Sequence, residues 1–166
     1  PVCDLILNSV DNNLYTKGTV MDSSVQSIRD VNIQFNNITW INALLEGYIR
    51  YANYVNFHYD LSDCDKELVQ VSKYSEGEFY GLHRDYDYED KFTITRKLSL
   101  TVQLSDENDY EGGDLVFHTG YDKEKSTRGK GSVVVFDSKL YHEVTPVTKG
   151  TRYSLVKWYH GDRPLR

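Results

Sequence analysis

Cysteine, proline and methionine are scarce in this 166-residue chain, at two, three and one, and no apolar run approaches the roughly 18 to 20 residues that a membrane-spanning helix needs. Cys3 and Cys64 cannot build a disulfide framework, and neither belongs to a C-x-x-C pair, so thiolate zinc binding and dithiol redox chemistry lack their usual ligands. No charged-then-apolar leader with a small-residue cleavage site opens the sequence. Positive charge is short as well. Nineteen Lys and Arg stand against 25 Asp and Glu, a net charge of −6, the wrong sign for affinity gained by displacing counterions from phosphate. The expectation is a soluble, cytoplasmic protein with no membrane association and no nucleic-acid partner.

What is present is a chain 39% hydrophobic and 27% charged with 14 tyrosines, enough for a single domain over 1–166 with its own core. Residues 1–37 mix short apolar pieces with Asn, Asp, Ser and Gly and read as an irregular lead-in with two short strands. From Thr39 the positions Ile41, Leu44, Leu45, Tyr48, Ala52 and Val55 recur at helical spacing, predicting a helix over about 39–56 with Asn37 or Thr39 as its N-cap. The period then changes to two. Val69 and Val71, the run Leu98, Leu100, Val102 and Leu104, then Leu115 with Phe117 alternate with polar neighbours, and further strands fall at 132–136, 141–144 and 153–158. Gly-Gly at 112–113, Gly129 with Gly131, and Pro146 with Gly150 punctuate them. Many short strands and one packing helix imply an all-β sandwich or barrel, of which a jelly roll is one solution.

Three residues carry the chemistry. In His83-Arg84-Asp85 a spacing of two places an imidazole and a carboxylate on one side of an extended segment. His142, just after an apolar strand, is the best third donor, and two His with one carboxylate form the facial triad of non-haem Fe(II) oxygenases. Arg152 follows His142 by ten residues, and Ser154 lies two further along the same strand face, so a guanidinium fork and a hydroxyl project together where they can hold a carboxylate. The plain alternatives are a surface turn for His83 and Asp85 and an inter-strand ion pair for Arg152.

The run Tyr74-Ser75-Glu76-Gly77-Glu78-Phe79-Tyr80-Gly81-Leu82-His83-Arg84-Asp85 resembles the Y-x-x-G-x-x-x-x-x-H-x-D signature of prolyl 4-hydroxylase-type 2-oxoglutarate and Fe(II)-dependent dioxygenases. Arg96 to Ser99, Tyr110 to Leu115, and His142 to Leu155 are similar to later motifs of that family, in order and in spacing. The resemblance spans about 68–161 and implies a double-stranded β-helix, or jelly-roll, core with a flanking helix. It implies further that His83, Asp85 and His142 ligate Fe(II), and that Arg152 pairs with the distal carboxylate of 2-oxoglutarate. Tyr74, Ser154 and Gln103 match positions near that co-substrate, and Tyr80, Arg96 and Trp158 match positions bordering the substrate opening. Such an enzyme uses Fe(II), 2-oxoglutarate and O2, with ascorbate as a candidate reductant. It couples decarboxylation of 2-oxoglutarate to succinate with hydroxylation of a C–H bond, here of a prolyl residue in a peptide or protein. Many collagen-type members have Lys where this chain has Arg152.

Rival readings are the same chemistry on a free amino acid, another side chain or a nucleotide base, and a jelly roll that binds a metal or small acid without turnover. A structural jelly roll is a third, favoured if His83, Asp85 and His142 lie too far apart to share an ion. His118 is a weaker substitute for His142, and His58 and His160 read as surface or helix-end residues. The acidic run from Asp85 to Asp90 lacks the Gly and the distal Glu of a calcium loop; it reads as an acidic lip that gates the site or attracts a basic substrate, with a merely solvated loop as the plain alternative. Val133, Val135 and Phe136 are expected to wall the site off from water. Asn37-Ile38-Thr39 matches a glycosylation sequon and reads as a cap region.

Overall fold

The computed structural model describes residues 2–18, 29–62, 67–86 and 94–162; Cys64 and the acidic positions Asp87, Glu89 and Asp90 fall outside them. Helix α1 (Val2–Asn8) leads into strands β1 (Thr16–Lys17), β2 (Arg29–Asp30) and β3 (Asn32–Asn36), and then α2 (Thr39–Ala52). The strands that follow are β4 (Val69–Tyr74), β5 (Phe79–His83), β6 (Ile94–Gln103), β7 (Tyr110–Gly112), β8 (Leu115–Thr119), β9 (Asp122–Lys125), β10 (Val133–Asp137), β11 (Tyr141–Val144), β12 (Val147–Gly150) and β13 (Arg152–Asp162). Among the described residues one sheet runs β1-β3-β4-β13-β6-β10 and a second runs β2-β5-β11-β8-β9, with β12 and β7 as a small pair between turns. Every pairing is antiparallel, and the result is a jelly roll.

The helix explains why the larger sheet is apolar on its outer side. Ile41, Leu45 and Ile49, four residues apart, form one buried stripe of α2. They pack on Val69, Val71, Leu98, Leu100, Val102 and Leu155, the outward members of β4, β6 and β13, and Cys3 and Ile6 of α1 extend the same core. The inward members of those strands are also buried, yet polar: Gln70 and Ser72 on β4, Ser99, Thr101 and Gln103 on β6, Arg152 and Ser154 on β13. A sheet buried on both faces, oily outside and polar inside, encloses something polar.

Several expectations need correction. The lead-in is more ordered than its composition implies, since Leu5-Ile6-Leu7 belongs to α1, a helix of seven residues and too short to show a period. Neither Asn37 nor Thr39 caps α2; Ile38 occupies the cap position and no side chain bonds there. The helix runs on through one π-helical turn (Asn53–Phe57) and closes at His58 in a left-handed conformation, φ 56°. Val133 and Val135 face the outer core rather than the interior, because on a strand only every second residue turns inward; of the three expected wall residues Phe136 alone does so. Glycine-bearing segments that read as turns form the short strands β7 and β12.

Candidate active site

The site sits where the inner faces of the two sheets approach. His83 ends β5, Asp85 lies in the bend just beyond, and His142 pairs across from His83 in the register of β11 with β5. The H-x-D spacing thus straddles a strand end instead of lying within an extended run. His83 Nε2 is 3.7 Å from Asp85 Oδ1, His142 Nε2 is 3.6 Å from Asp85 Oδ2, and one ligand atom from each of the three lies within 4.8 Å of the others. Among the described residues no other group of His, Cys, Asp and Glu converges in this way.

Each imidazole is oriented by its far nitrogen. Nδ1 of His83 is 2.7 Å from the Gly81 carbonyl and Nδ1 of His142 is 2.9 Å from the Leu140 carbonyl, so Nδ1 carries the proton and the Nε2 lone pair is left for an ion. Rings hold them further: Tyr80 stacks on His83 with centroids 3.5 Å apart, and Phe136 meets His142 edge-on at 4.8 Å. Ser99 donates to Asp85 Oδ2 at 2.7 Å and meets Ser138 Oγ at 2.9 Å. Burial, with the nearby His142, keeps His83 below its ordinary range and therefore neutral. For Asp85 burial pulls upward, but the two imidazoles and Ser99 outweigh it and hold the carboxyl ionised. An imidazole with a free ring nitrogen and a carboxylate are the donors that a metal ion needs. The donor set suits Fe(II) and accepts other divalent ions.

A cavity opens in front of these groups, and Tyr74, Arg152, Ser154 and Trp158 line it too. Ser99, which holds Asp85, pairs with Trp158 in the register of β6 with β13, while Ser154 pairs with Gln103 four residues along. At about 3.3 Å per residue that places Ser154 roughly 13 Å along the sheet from the Ser99–Trp158 pair, with Arg152 beyond it and its side chain entering the cavity. Arg152 is 3% exposed. Its polar contact is a long one, 3.4 Å to Ser154 Oγ, with the Tyr74 ring 5.3 Å from the guanidinium carbon, and no carboxylate pairs with it among the described residues. A buried, uncompensated guanidinium is costly unless an anion completes it. Gly113 keeps that space open: at φ 60° an added Cβ would meet Val147 Cγ2 at 2.9 Å and Arg152 Cδ at 3.0 Å.

Of the expected co-substrate neighbours, Tyr74 and Ser154 line this cavity, whereas Gln103 donates to the Tyr110 hydroxyl at 2.9 Å in a small recess behind Arg152. Tyr80 and Trp158 line the cavity. Arg96 does not; it reaches the site through Trp158, on whose ring it stacks at 4.0 Å. His118 is tied to Glu143 at 2.9 Å and is not part of the His83, Asp85 and His142 group. His160 is no surface residue: its Nε2 lies 2.9 Å from Glu67 on a side chain 11% exposed. The sequence assigned no site role to Thr101, nor to Ser99, Tyr110 and Gly113, which entered only as members of family motifs, although the polar half of the β6 alternation was a signal for Ser99 and Thr101.

Comparison with known proteins agrees with this geometry. Residues 69–160 match the family model of the 2OG-Fe(II) oxygenase superfamily, and the chain belongs to that family. A PKHD-type hydroxylase of Alteromonas mediterranea is 37% identical over 91 residues, 52% of this chain and 40% of its own length. Another, from Synechococcus sp. (strain CC9605), is 45% identical over 89 residues, 53% of this chain and 39% of its own. The match thus spans about 40% of these curated relatives. Among solved structures, a Trichoplax adhaerens prolyl hydroxylase in complex with a hypoxia inducible factor oxygen degradation domain peptide superposes with a TM-score of 0.75 over 96% of this chain and 78% of its own, at 20% identity. A Pseudomonas putida prolyl-4-hydroxylase gives 0.73 over 99% and 86%, at 21% identity. At these identities the likeness is one of fold. The family to which the chain belongs is defined by Fe(II), 2-oxoglutarate and O2. Among the described residues no helix is long and apolar enough to cross a membrane.

Proposed function

We propose that the chain is a single dioxygenase domain that hydroxylates a prolyl residue of a peptide or protein, with His83, Asp85 and His142 holding Fe(II) and Arg152 holding the distal carboxylate of 2-oxoglutarate. The observation that carries this reading is the buried, carboxylate-free Arg152 sharing one cavity with the two imidazoles and Asp85. When bound, the iron and 2-oxoglutarate supply the oxidation: O2 and 2-oxoglutarate give succinate and CO2 while one oxygen atom enters a substrate C–H bond. Ascorbate would act from outside as a reductant that keeps the iron ferrous.

The chain's own residues do the positioning. Three ligands on one side of an ion leave its opposite side for co-substrates. The Arg152 fork, with Ser154 and the Tyr74 ring beside it, fixes the co-substrate's far end and hence which way its keto acid faces. Tyr80, Phe136, Val144, Val156 and Trp158 surround the metal side with rings and aliphatics that exclude water. The prolyl substrate is favoured by the two structural neighbours described above, both prolyl hydroxylases, one of them bound to a peptide.

The test is O2-dependent formation of succinate from 2-oxoglutarate by purified protein with Fe(II), followed by mass spectrometry of a proline-containing peptide for a gain of one oxygen atom. Succinate that depends on His142 and Arg152 supports the reading. Binding without turnover would favour the non-catalytic jelly roll, and turnover with a free amino acid or a base in place of the peptide would favour the corresponding rival.

A further inference from the structure

We propose that Glu67 is a positioning residue for the substrate side of the cavity, holding the Arg96 guanidinium over the Trp158 ring and so fixing the indole wall that a substrate meets. The inference rests on the functional reading above and adds to it a residue outside the family's matched span of 69–160. Glu67 lies two residues before β4, and its carboxylate is gripped from two other strands. Arg96 of β6 donates through Nε to Oε1 at 2.7 Å and through Nη2 to Oε2 at 2.5 Å, a two-point fork. His160 of β13 brings Nε2 to within 2.9 Å of Oε1, and Lys157 donates to the Glu67 carbonyl. On its other side the Arg96 guanidinium carbon sits 4.0 Å from the Trp158 ring centroid.

The indole needs that support. Trp158 is 8% exposed and lines the cavity, yet its Nε1–H is buried with no acceptor among the described residues. A buried Trp is ordinarily anchored by that donor; here no hydrogen bond fixes the ring's rotation, and the flat guanidinium against it takes that part. Burial pulls the Glu67 carboxyl upward, but His160 and Arg96 outweigh it and bring it down to about 2, so the carboxylate stays charged and the fork stays closed through neutral pH. An exposed ion pair would contribute little. This one closes a chain of contacts from β4 through β6 and β13 to the cavity wall.

The test uses the full chain carrying Trp40→Phe, which removes the second tryptophan, 43% exposed on α2, and leaves Trp158 as sole reporter. Acrylamide quenching of Trp158 fluorescence is measured alongside KM values for 2-oxoglutarate and for poly(L-proline). Glu67→Gln is expected to raise the quenching constant severalfold. It should also raise the KM for poly(L-proline) about tenfold, the scale of one lost charge-assisted hydrogen bond, and leave the KM for 2-oxoglutarate unchanged. Arg96→Lys keeps the charge but loses the planar fork and should move the same readouts the same way. An unchanged quenching constant in both variants overturns the proposal. A raised constant with an unchanged poly(L-proline) KM overturns it as well, reducing Glu67 to a structural ion pair. If the parent protein leaves poly(L-proline) unmodified, the prolyl reading fails, and the quenching constants still decide whether Glu67 holds the wall.

Discussion

Ser99→Ala removes a single hydroxyl that touches no bound molecule, yet the geometry assigns it a measurable effect on metal affinity. Ser99 is fully buried, donates to Asp85 Oδ2 at 2.7 Å and meets Ser138 Oγ at 2.9 Å. A hydrogen bond to a charged acceptor is worth about 1.5 to 3 kcal/mol. The same bond is present whether or not a metal is bound, so much of that loss falls on the fold itself, and metal affinity loses only the part that came from fixing the carboxylate's orientation. Loss of a group that orients a ligand typically weakens metal binding about 10- to 100-fold. The variant should therefore bind Co(II), a stand-in less prone to air oxidation, about 10- to 100-fold more weakly by calorimetric titration, with urea unfolding of the metal-free protein showing a loss of about 1 to 2 kcal/mol. Co(II) affinity equal to that of the parent protein, in a variant that unfolds at lower urea, would refute the orientation argument and leave Ser99 a packing residue.

Gly113→Ala forces a Cβ into a left-handed position, at about 1 to 2 kcal/mol, and against Arg152 Cδ. It should raise the KM for 2-oxoglutarate while leaving Co(II) affinity intact; an unchanged KM would contradict the assignment of Arg152 to the co-substrate. Leu45→Ala, at a position 1% exposed under the larger sheet, should cost about 2 to 5 kcal/mol in urea unfolding, and a loss below about 1 kcal/mol would mean that α2 is not a core element. Glu67 ionises more readily folded than unfolded, so it adds stability above its ordinary value of 4.5, and that stability is lost as pH falls through 4.5 toward about 2. The stability difference between parent and Glu67→Gln should shrink across that window, and a difference that stays constant would show that the carboxylate is not held by Arg96 and His160.

The His83, Asp85 and His142 cluster was readable because such side chains belong to few chemistries and two of them stand only two residues apart; Arg152 and Ser154 were readable because a spacing of two on a strand needs no tertiary knowledge. The outer core was readable from β6, where Leu98, Leu100, Val102 and Leu104 alternate with polar residues. What alternation cannot say is that the polar side is buried as well. Ser99, Thr101 and Gln103 look like a solvated face until the second sheet covers them. The same limit hid the Glu67 cluster: Arg96 is 29 residues away and Lys157 is 90, and only the pairing of β13 with both β4 and β6 brings them together. Strands of three or four residues, such as β7 and β12, show no period of their own and are held by partners distant in the chain.

In the proposed reading, one cavity binds an iron through His83, Asp85 and His142 and a 2-oxo acid through Arg152. Anaerobic titration of metal-free protein with Fe(II) and then 2-oxoglutarate tests both together, through the visible charge-transfer absorption of an iron chelated by a 2-oxo acid. The expected result is a band that saturates with 2-oxoglutarate, is lost in His142→Ala and needs far higher 2-oxoglutarate in Arg152→Ala. No band from folded, iron-replete protein would contradict it.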